Sequence, residues 1–231
     1  MITIQGKSIS GHVAIGPLHI FRRRDLATAR HTVTDGEAEI RRFRTAKESA
    51  SRKLKKLYEE AVSHVGKDNA AIFQIQDSML GEREYTETIE GIIRSQKVNA
   101  EYAVSQTTEN FAAIYSSGSD SYMASRIGDL EDVSNILLQC LAGRDETVPS
   151  ASGSYILSAD DLSPSETIQL DKNKILGFIT TEGNPNSHTA ILARTLGVPA
   201  IVATGKEIGV EYDGHPAVID GFTGTAFFHF Y

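Results

Sequence analysis

Apolar and small residues recur at steps of three and four through the middle of the chain: Ile40, Phe43, Ala46, Ala50, Leu54, Leu57, Ala61 and Val65. That spacing lines one face of a long helix. Thr34 and Glu37, in TDGE, have capping-box spacing at its start, and Gly66 is a natural stop. A second helix is expected from near Asp68, carrying Ile72, Phe73, Ile75, Met79 and Leu80. Gly81 interrupts it, and the pattern resumes at Tyr85, Ile89, Ile92 and Ile93. A third helix runs from about Asn99 through Val104, Phe111 and Ile114, and SSGSD, Ser116–Asp120, reads as a loop. A fourth carries Met123, Ile127, Leu130, Val133, Leu137 and Leu141, and Gly143 ends it. No proline occurs between residues 34 and 143. Four amphipathic helices joined by short loops predict an antiparallel bundle.

On either side of this stretch the pattern shortens. ITIQGKSIS and HVAIGPLHIF, within the first 21 residues, read as strands punctuated by Gly11, Gly16 and Pro17. From Val148 onward strands and helices alternate. GSYILSA and KILGFIT are strands, and between them SPSETIQL is a helix with Ser163 as N-cap, Pro164 at its first position and Glu166 at capping-box distance. SHTAILARTLG is a helix, and PAIVATG, PAVIDG and TAFFHF are strands. The N-terminal strands are too few to stand alone and should join this unit. The expected fold class is therefore α/β plus α. An α/β domain of residues 1–30 and 146–231 carries an inserted four-helix subdomain of residues 31–145.

Composition narrows the function. The chain has 231 residues, 40% of them hydrophobic and 23% charged, as in soluble globular proteins. A net charge of -7 speaks against a general nucleic-acid binder and suits a basic protein partner. The single cysteine, Cys140, lies in the apolar run NILLQCLAG and reads as a buried small hydrophobe. With no disulfide possible within the chain, no signal-peptide pattern and no stretch of membrane-spanning length, a cytoplasmic location is expected.

The candidate chemistry centres on His188, in TEGNPNSHTAILARTLGVPA. It follows a run of turn formers and falls in the first turn of a helix. Backbone N–H groups there lack internal partners, and the helix dipole is positive. Such a position attracts phosphate and disfavours the protonated imidazole. A neutral histidine beside a phosphate cradle can accept a phosphoryl group. Spacing alone equally allows a helix cap or a surface residue. Arg194, six residues on, can reach for phosphate oxygens or form a surface pair. Ser187 and His188 are adjacent, so they do not make a nucleophile–base dyad. There is no G-x-S-x-G elbow, and ATGKE lacks the first glycine and the final Ser/Thr of a phosphate-binding loop. His12, His19, His31, His64, His215 and His229 are scattered, without metal-ligand spacing, so no metal site is expected.

The stretch GNPNSHTAILARTLGVPAIVATG resembles the phosphohistidine signature of enzymes that use phosphoenolpyruvate. DLSPSETIQL, KILGFIT, the opening SISGHVAIGPLHIF and the length of the helical insert resemble, within that group, Enzyme I of the bacterial sugar phosphotransferase system. The resemblance spans essentially the whole chain and is most specific over residues 160–205.

It implies a swivelling phosphohistidine α/β domain whose His188 takes a phosphoryl group on Nε2 and passes it to the phosphocarrier protein HPr. Thr167, Ser187 and Arg194 match positions around that histidine. The inserted subdomain is then the HPr-docking part, with Gln76, Met79, Leu80, Glu82, Glu84 and Arg126 as contact candidates. The signature's second glycine and its arginine are replaced here, within Gly183-Asn184-Pro185-Asn186. The resemblance also implies a C-terminal domain that binds phosphoenolpyruvate and magnesium and forms a homodimer. This chain is expected to be an N-terminal fragment, itself monomeric and without a cofactor. Two other readings are the phosphohistidine domain of a pyruvate phosphate dikinase or phosphoenolpyruvate synthase relative, and a non-catalytic protein-binding module.

Overall fold

A computed structural model describes residues 1–23, 28–117, 126–143 and 153–229. The chain divides into two compact units: Met1–Arg24 together with Thr147–Tyr231, and Asp25–Glu146. No helix among the described residues is long and apolar enough to cross a membrane.

The second unit is helical. Its described helices are α1 (Gly36–Val65), α2 (Lys67–Gly81), α3 (Arg83–Gln96), α4 (Ala100–Ser117) and α5 (Ile127–Leu141). The apolar stripe expected for α1 is buried from Ile40 to Ala61. It packs along α2 and α5, and α4 packs on α5. Phe43, Leu54, Phe73, Leu80, Ile89, Ile93 and Ile136 fill the interior.

Three local expectations need correction. The cap of α1 is Asp35, whose Oδ1 accepts from the Ala38 N–H at 2.9 Å, and not Thr34 one residue earlier. Glu37 consequently closes no box, and accepts instead from Arg94 Nε at 2.8 Å. The break after α2 falls on Glu82, whose ψ of 131° leaves the helical region, and Gly81 is the last residue of α2. Ser116 and Ser117 still belong to α4, so that helix runs into the expected loop. Met123, assigned to the fourth helix, and residues 118–120 lie outside the described residues.

Buried hydroxyls within the bundle are paired. The Tyr85 hydroxyl lies 3.0 Å from Ser134 Oγ, which also accepts from Thr108 Oγ1 at 2.7 Å. Burial pushes the Tyr85 hydroxyl up, so it stays protonated and able to donate.

The first unit is built on an eight-stranded sheet. Its strands are β1 (Ile2–Gln5), β2 (Lys7–Ser10), β3 (Val13–Ile20), β4 (Tyr155–Ala159), β5 (Ile175–Thr180), β6 (Ala200–Val202), β7 (Pro216–Asp220) and β8 (Thr225–Phe228). The order is β1-β8-β7-β3-β4-β5-β6-β2, with β3, β4, β5 and β6 parallel to one another. The N-terminal strands thus complete the sheet of the C-terminal segment. Helices α6 (Pro164–Gln169) and α7 (His188–Leu196) connect the parallel strands.

β1 and β2 stand at the two ends of this order, yet only Gly6 separates them in sequence. One run of chain pairs with β8 through Ile2–Gln5 and with β6 through Lys7–Ser10, so the sheet closes on itself. Ile4, Leu18, Ile156, Ile179, Ile201, Ile219 and Phe228 fill the space it encloses. Gly6 makes the crossing. Its N–H donates to the Gly224 carbonyl at 2.9 Å, and a Cβ there would lie 2.7 Å from the Val202 carbonyl oxygen and 2.8 Å from Ile201 Cγ2.

Gly6→Ala should therefore destabilise the α/β unit by about 1–3 kcal/mol, read as a lower urea midpoint. Gly91, in the middle of α3, has nothing within 4 Å of its missing Cβ. Gly91→Ala should raise stability by roughly 0.5–1 kcal/mol in the same measurement, because alanine is the better helix former.

Candidate functional site

The parallel strands β4, β5 and β6 end on one side of the sheet, and their C-terminal loops are tied together there. The Glu182 N–H donates to the Asp160 carbonyl at 2.8 Å, and the Thr181 N–H to the Ala159 carbonyl at 3.1 Å. Ala203, Thr204 and Gly205, after β6, donate their N–H groups to the Glu182, Thr180 and Thr181 carbonyls at 3.0, 3.2 and 2.9 Å. Carboxyl ends of parallel strands are where ligands of open α/β sheets bind.

The loop after β5 carries His188. Gly183 has φ of 95°, a left-handed conformation that suits glycine. Asn184, Pro185, Asn186 and Ser187 then form a turn in which the Ser187 N–H donates to the Asn184 carbonyl at 3.0 Å. The Asn184 side chain accepts from the Asn186 N–H at 2.8 Å. Asn in the first and Pro in the second position of a turn are what its geometry favours. The GNPN sequence thus builds a well-bonded turn without the second glycine.

Ser187 is the N-cap of α7, its Oγ accepting from the Ala190 N–H at 3.3 Å. His188 is the first residue of the helix and is half-buried. Thr189, next to it, is fully buried, and its hydroxyl has no hydrogen-bond partner.

α6 lies against α7 and begins with the expected capping box: Ser163 Oγ accepts from the Glu166 N–H at 3.3 Å, and Glu166 Oε2 from the Ser163 N–H at 2.8 Å. Thr167, also in α6, is buried, and its hydroxyl donates to the Pro164 carbonyl at 2.8 Å. Arg194 is exposed in the last turn of α7. Six residues of helix put it about 9 Å along the axis from His188, on a different side.

Sequence reasoning missed the charges that accompany His188. Asp161, at the end of β4, is a partly buried carboxylate. Burial pushes it up; the Leu162 N–H, Arg23 and His188 pull it down, and Glu166 pushes it up again. Arg23 comes from the end of β3. Its guanidinium grips Glu166 with two bonds of 2.7 Å and donates to the Asp161 carbonyl at 3.0 Å. Arg22 beside it reaches Asp160 at 3.3 Å and the Ile208 carbonyl at 2.8 Å. Around Gly183, Asp161 Oδ1, Ser187 Oγ and Thr180 Oγ1 all lie 3.5 Å from where a Cβ would stand. Three side-chain oxygens, one of them a carboxylate's, thus gather around Gly183, five residues before His188. Only local pairs such as Ser163 and Glu166 give such a site away in sequence.

The candidate docking residues separate into two groups. Gln76, Met79 and Leu80 are buried, and Gln76 Nε2 donates to Asp132 Oδ2 at 3.1 Å. They belong to the core of the bundle and offer no contact surface in this conformation. Glu82 and Glu84 are exposed, and Arg126 lies 3.5 Å from Asp129. These three gather around Tyr115 of α4, which the sequence did not single out. Burial pushes the Tyr115 hydroxyl up, Glu82 and Glu84 add to the effect, and Arg126 opposes it. Tyr115 packs edge-on against Phe111, and its neighbour Ile114 is 63% exposed. The result is an aromatic and aliphatic patch rimmed by acids.

Two of the scattered histidines do come together. β7 and β8 bring His215 Nδ1 to 3.5 Å from His229 Nδ1, with the Tyr212 ring against both. Among the described residues, no group of three or more His, Cys, Asp or Glu could hold a metal ion.

Comparison with known proteins shows the family. Residues 5–126 match the family model of the PEP-utilising enzyme, N-terminal, and residues 152–224 that of the PEP-utilising enzyme, mobile domain. The chain is 34% identical over 229 residues to the phosphoenolpyruvate-protein phosphotransferase of Listeria monocytogenes, covering 98% of this chain and 40% of that protein. It is 36% identical over 223 residues to that of Staphylococcus carnosus, covering 96% and 39%. The chain thus spans about two fifths of the length of these relatives. Among solved structures, an NMR solution structure of Enzyme I (nEIt) matches with a TM-score of 0.79 and 30% identity, covering 98% of this chain and 92% of that one. The N-terminal domain of Enzyme 1 - Nitrogen shares the fold, with a TM-score of 0.66 at 24% identity.

Replacing the α7 cap is expected to loosen the start of that helix. Ser187→Ala should cost about 1 kcal/mol and speed amide exchange at Ala190, measured by hydrogen-exchange NMR.

Proposed function

The chain belongs to the family of PEP-utilising enzymes, with an N-terminal and a mobile domain of that family, and from this we propose that it is the phosphoryl-carrying part of a phosphoenolpyruvate-protein phosphotransferase. One observation supports the reading above the others. The stretch that matches the mobile domain carries a half-buried histidine as the first residue of a capped helix, where parallel strands end. A helix start supplies unpaired N–H groups and a positive dipole end, and both favour an incoming phosphoryl group.

In this proposal His188 is the catalytic residue. The lone pair of Nε2 attacks phosphorus, and the donor's bond to phosphorus breaks with its electron pair left on the donor. Phosphoryl transfer passes through a loose transition state, so positioning and charge matter more than bond-making by the protein. The helix start and the fixed turn supply the positioning. Ser187 holds the start of α7, Thr167 packs from α6, and Arg194 is a candidate contact for whatever brings or takes the phosphoryl group. The first donor would be phosphoenolpyruvate, held with magnesium in a further, C-terminal domain that would also form the homodimer. The acceptor is HPr, and the setting is the cytoplasm, at the first step of sugar uptake by a phosphotransferase system. HPr would dock on the acid-rimmed patch of Glu82, Glu84, Arg126 and Tyr115, where carboxylates suit a basic partner surface.

Mixing the chain with phosphorylated HPr should give one acid-labile phosphoryl group by mass spectrometry under non-acidic conditions, absent in His188→Ala. HPr binding without any transfer to the wild type would instead favour a docking module that has lost its chemistry.

The patch has its own test. Glu82→Lys with Glu84→Lys should weaken HPr binding about tenfold or more by calorimetry while leaving the fold intact. Met79→Ala should behave differently, lowering stability by about 2–5 kcal/mol because it empties a core position.

A further inference from the structure

We propose that His215 and His229 form a two-histidine site for a late transition-metal ion, zinc or copper, which clips the end of β8 to the start of β7. The inference is independent of the phosphoryl-carrier reading of His188.

Fourteen positions separate the two residues, and the antiparallel pairing of β7 with β8 brings them together. Their Nδ1 atoms lie 3.5 Å apart, on rings with centroids 5.5 Å apart and planes 27° from parallel. That spacing is long for a hydrogen bond. It is close to what a metal needs: two Zn–N bonds of about 2.0–2.1 Å meeting at a tetrahedral angle put the nitrogens ~3.3 Å apart. A difference of about 0.2 Å is within the tolerance of such sites.

The surrounding chain holds both residues in place. The His215 N–H donates to the Tyr212 carbonyl at 3.0 Å, and the His215 carbonyl accepts from the Leu18 N–H at 2.8 Å. The Tyr212 ring stands edge-on to both imidazoles, with centroids 5.8 and 5.5 Å away. His229 follows β8 directly and has φ of 56°. A left-handed residue other than glycine is uncommon and signals a local demand on that position. Here it accompanies the approach of the imidazole to His215. Both residues remain partly exposed, which gives an ion a way in.

Imidazole nitrogen suits zinc, copper and nickel, whereas magnesium and calcium prefer oxygen. As a hydrogen-bonded pair, one ring gives its Nδ1–H to the Nδ1 of the other. To bind an ion, that ring moves its proton to Nε2, and both Nδ1 lone pairs turn toward the metal, with no net gain or loss of protons. Among the described residues, no third His, Cys, Asp or Glu joins the pair. Asp213, two residues before His215, accepts the Ile20 N–H at 2.7 Å and lies 3.5 Å from His19 Nδ1. Water therefore fills the remaining positions on the ion. A clip of this kind closes a loop of chain, and an ion that prefers the folded state stabilises it. Because β8 also pairs with β1, the clip would strengthen the closure of the sheet.

The test uses the whole chain without an affinity tag, freed of metal by chelation, as wild type, His215→Phe and His229→Asn. Phenylalanine keeps a ring beside Tyr212, and asparagine tolerates the left-handed backbone. Calorimetry with Zn2+ should give one ion per chain for the wild type, with affinity lowered at least about tenfold in either variant. His12→Ala, which removes an exposed imidazole paired with Ser10, should match the wild type. Zn2+ should raise the melting temperature of the wild type, and Mg2+ should not. Substoichiometric Cu2+ should broaden the imidazole NMR signals of His215 and His229 before those of the other histidines. Unchanged Zn2+ affinity in both variants overturns the proposal, as does no uptake by the wild type at millimolar Zn2+. Should a variant fail to fold, the Cu2+ titration of the wild type decides alone: broadening that begins at other histidines overturns the site.

Discussion

The α/β unit depends on one crossing of the backbone at Gly6. The nine residues from Ile2 to Ser10 pair with β8 on one side and with β6 on the other, and the crossing leaves no room for a side chain. That closure gives β6, a strand of three residues, a neighbour on each side. β6 in turn ends in the loop at 203–205 that holds the loop of His188 by three backbone bonds. The order of the sheet and the position of the histidine are thus parts of one constraint. A sheet with an open edge at β6 would leave the site loop attached to an exposed, short strand.

Local chemistry is then layered on this frame. Glu166 closes the box at the start of α6 and receives both arms of Arg23, so helix cap and charge pair use one carboxylate. Bidentate pairing of this kind is directional as well as attractive. It joins the end of β3 to the helix that packs on α7. In the bundle, by contrast, Tyr85, Thr108 and Ser134 form a small network of neutral hydroxyls, which adds specificity without adding charge.

Features governed by neighbouring residues were legible in sequence. Ser163, Pro164 and Glu166 announce α6 because a capping box is a matter of three residues. The stripe from Ile40 to Ala61 announces α1 because the helical period repeats through it. His188 stands out because turn formers precede it and a helical pattern follows. What failed depended on distance or on side. Thr34 and Asp35 are both good caps, and only the backbone says which one the helix uses. Gln76, Met79 and Leu80 border a break, which suggested a surface, but the helix turns them inward. Asp161 feels His188 across 27 positions and bonds Arg23 across 138, and no periodicity carries such relations. Tyr115 meets Glu82, Glu84 and Arg126 in the same way, through the packing of different helices.

The turn at Asn184–Ser187 has one more implication. Its proline admits a single φ in the folded and unfolded chain alike, and the Asn184 side chain and carbonyl accept from the Asn186 and Ser187 N–H groups. Much of the disorder that such a loop would otherwise lose on meeting a partner is already absent before the encounter. What the site adds to this fixed turn is one imidazole at the first position of α7. Recognition here is therefore closer to presenting a fixed post than to folding a loop around a guest.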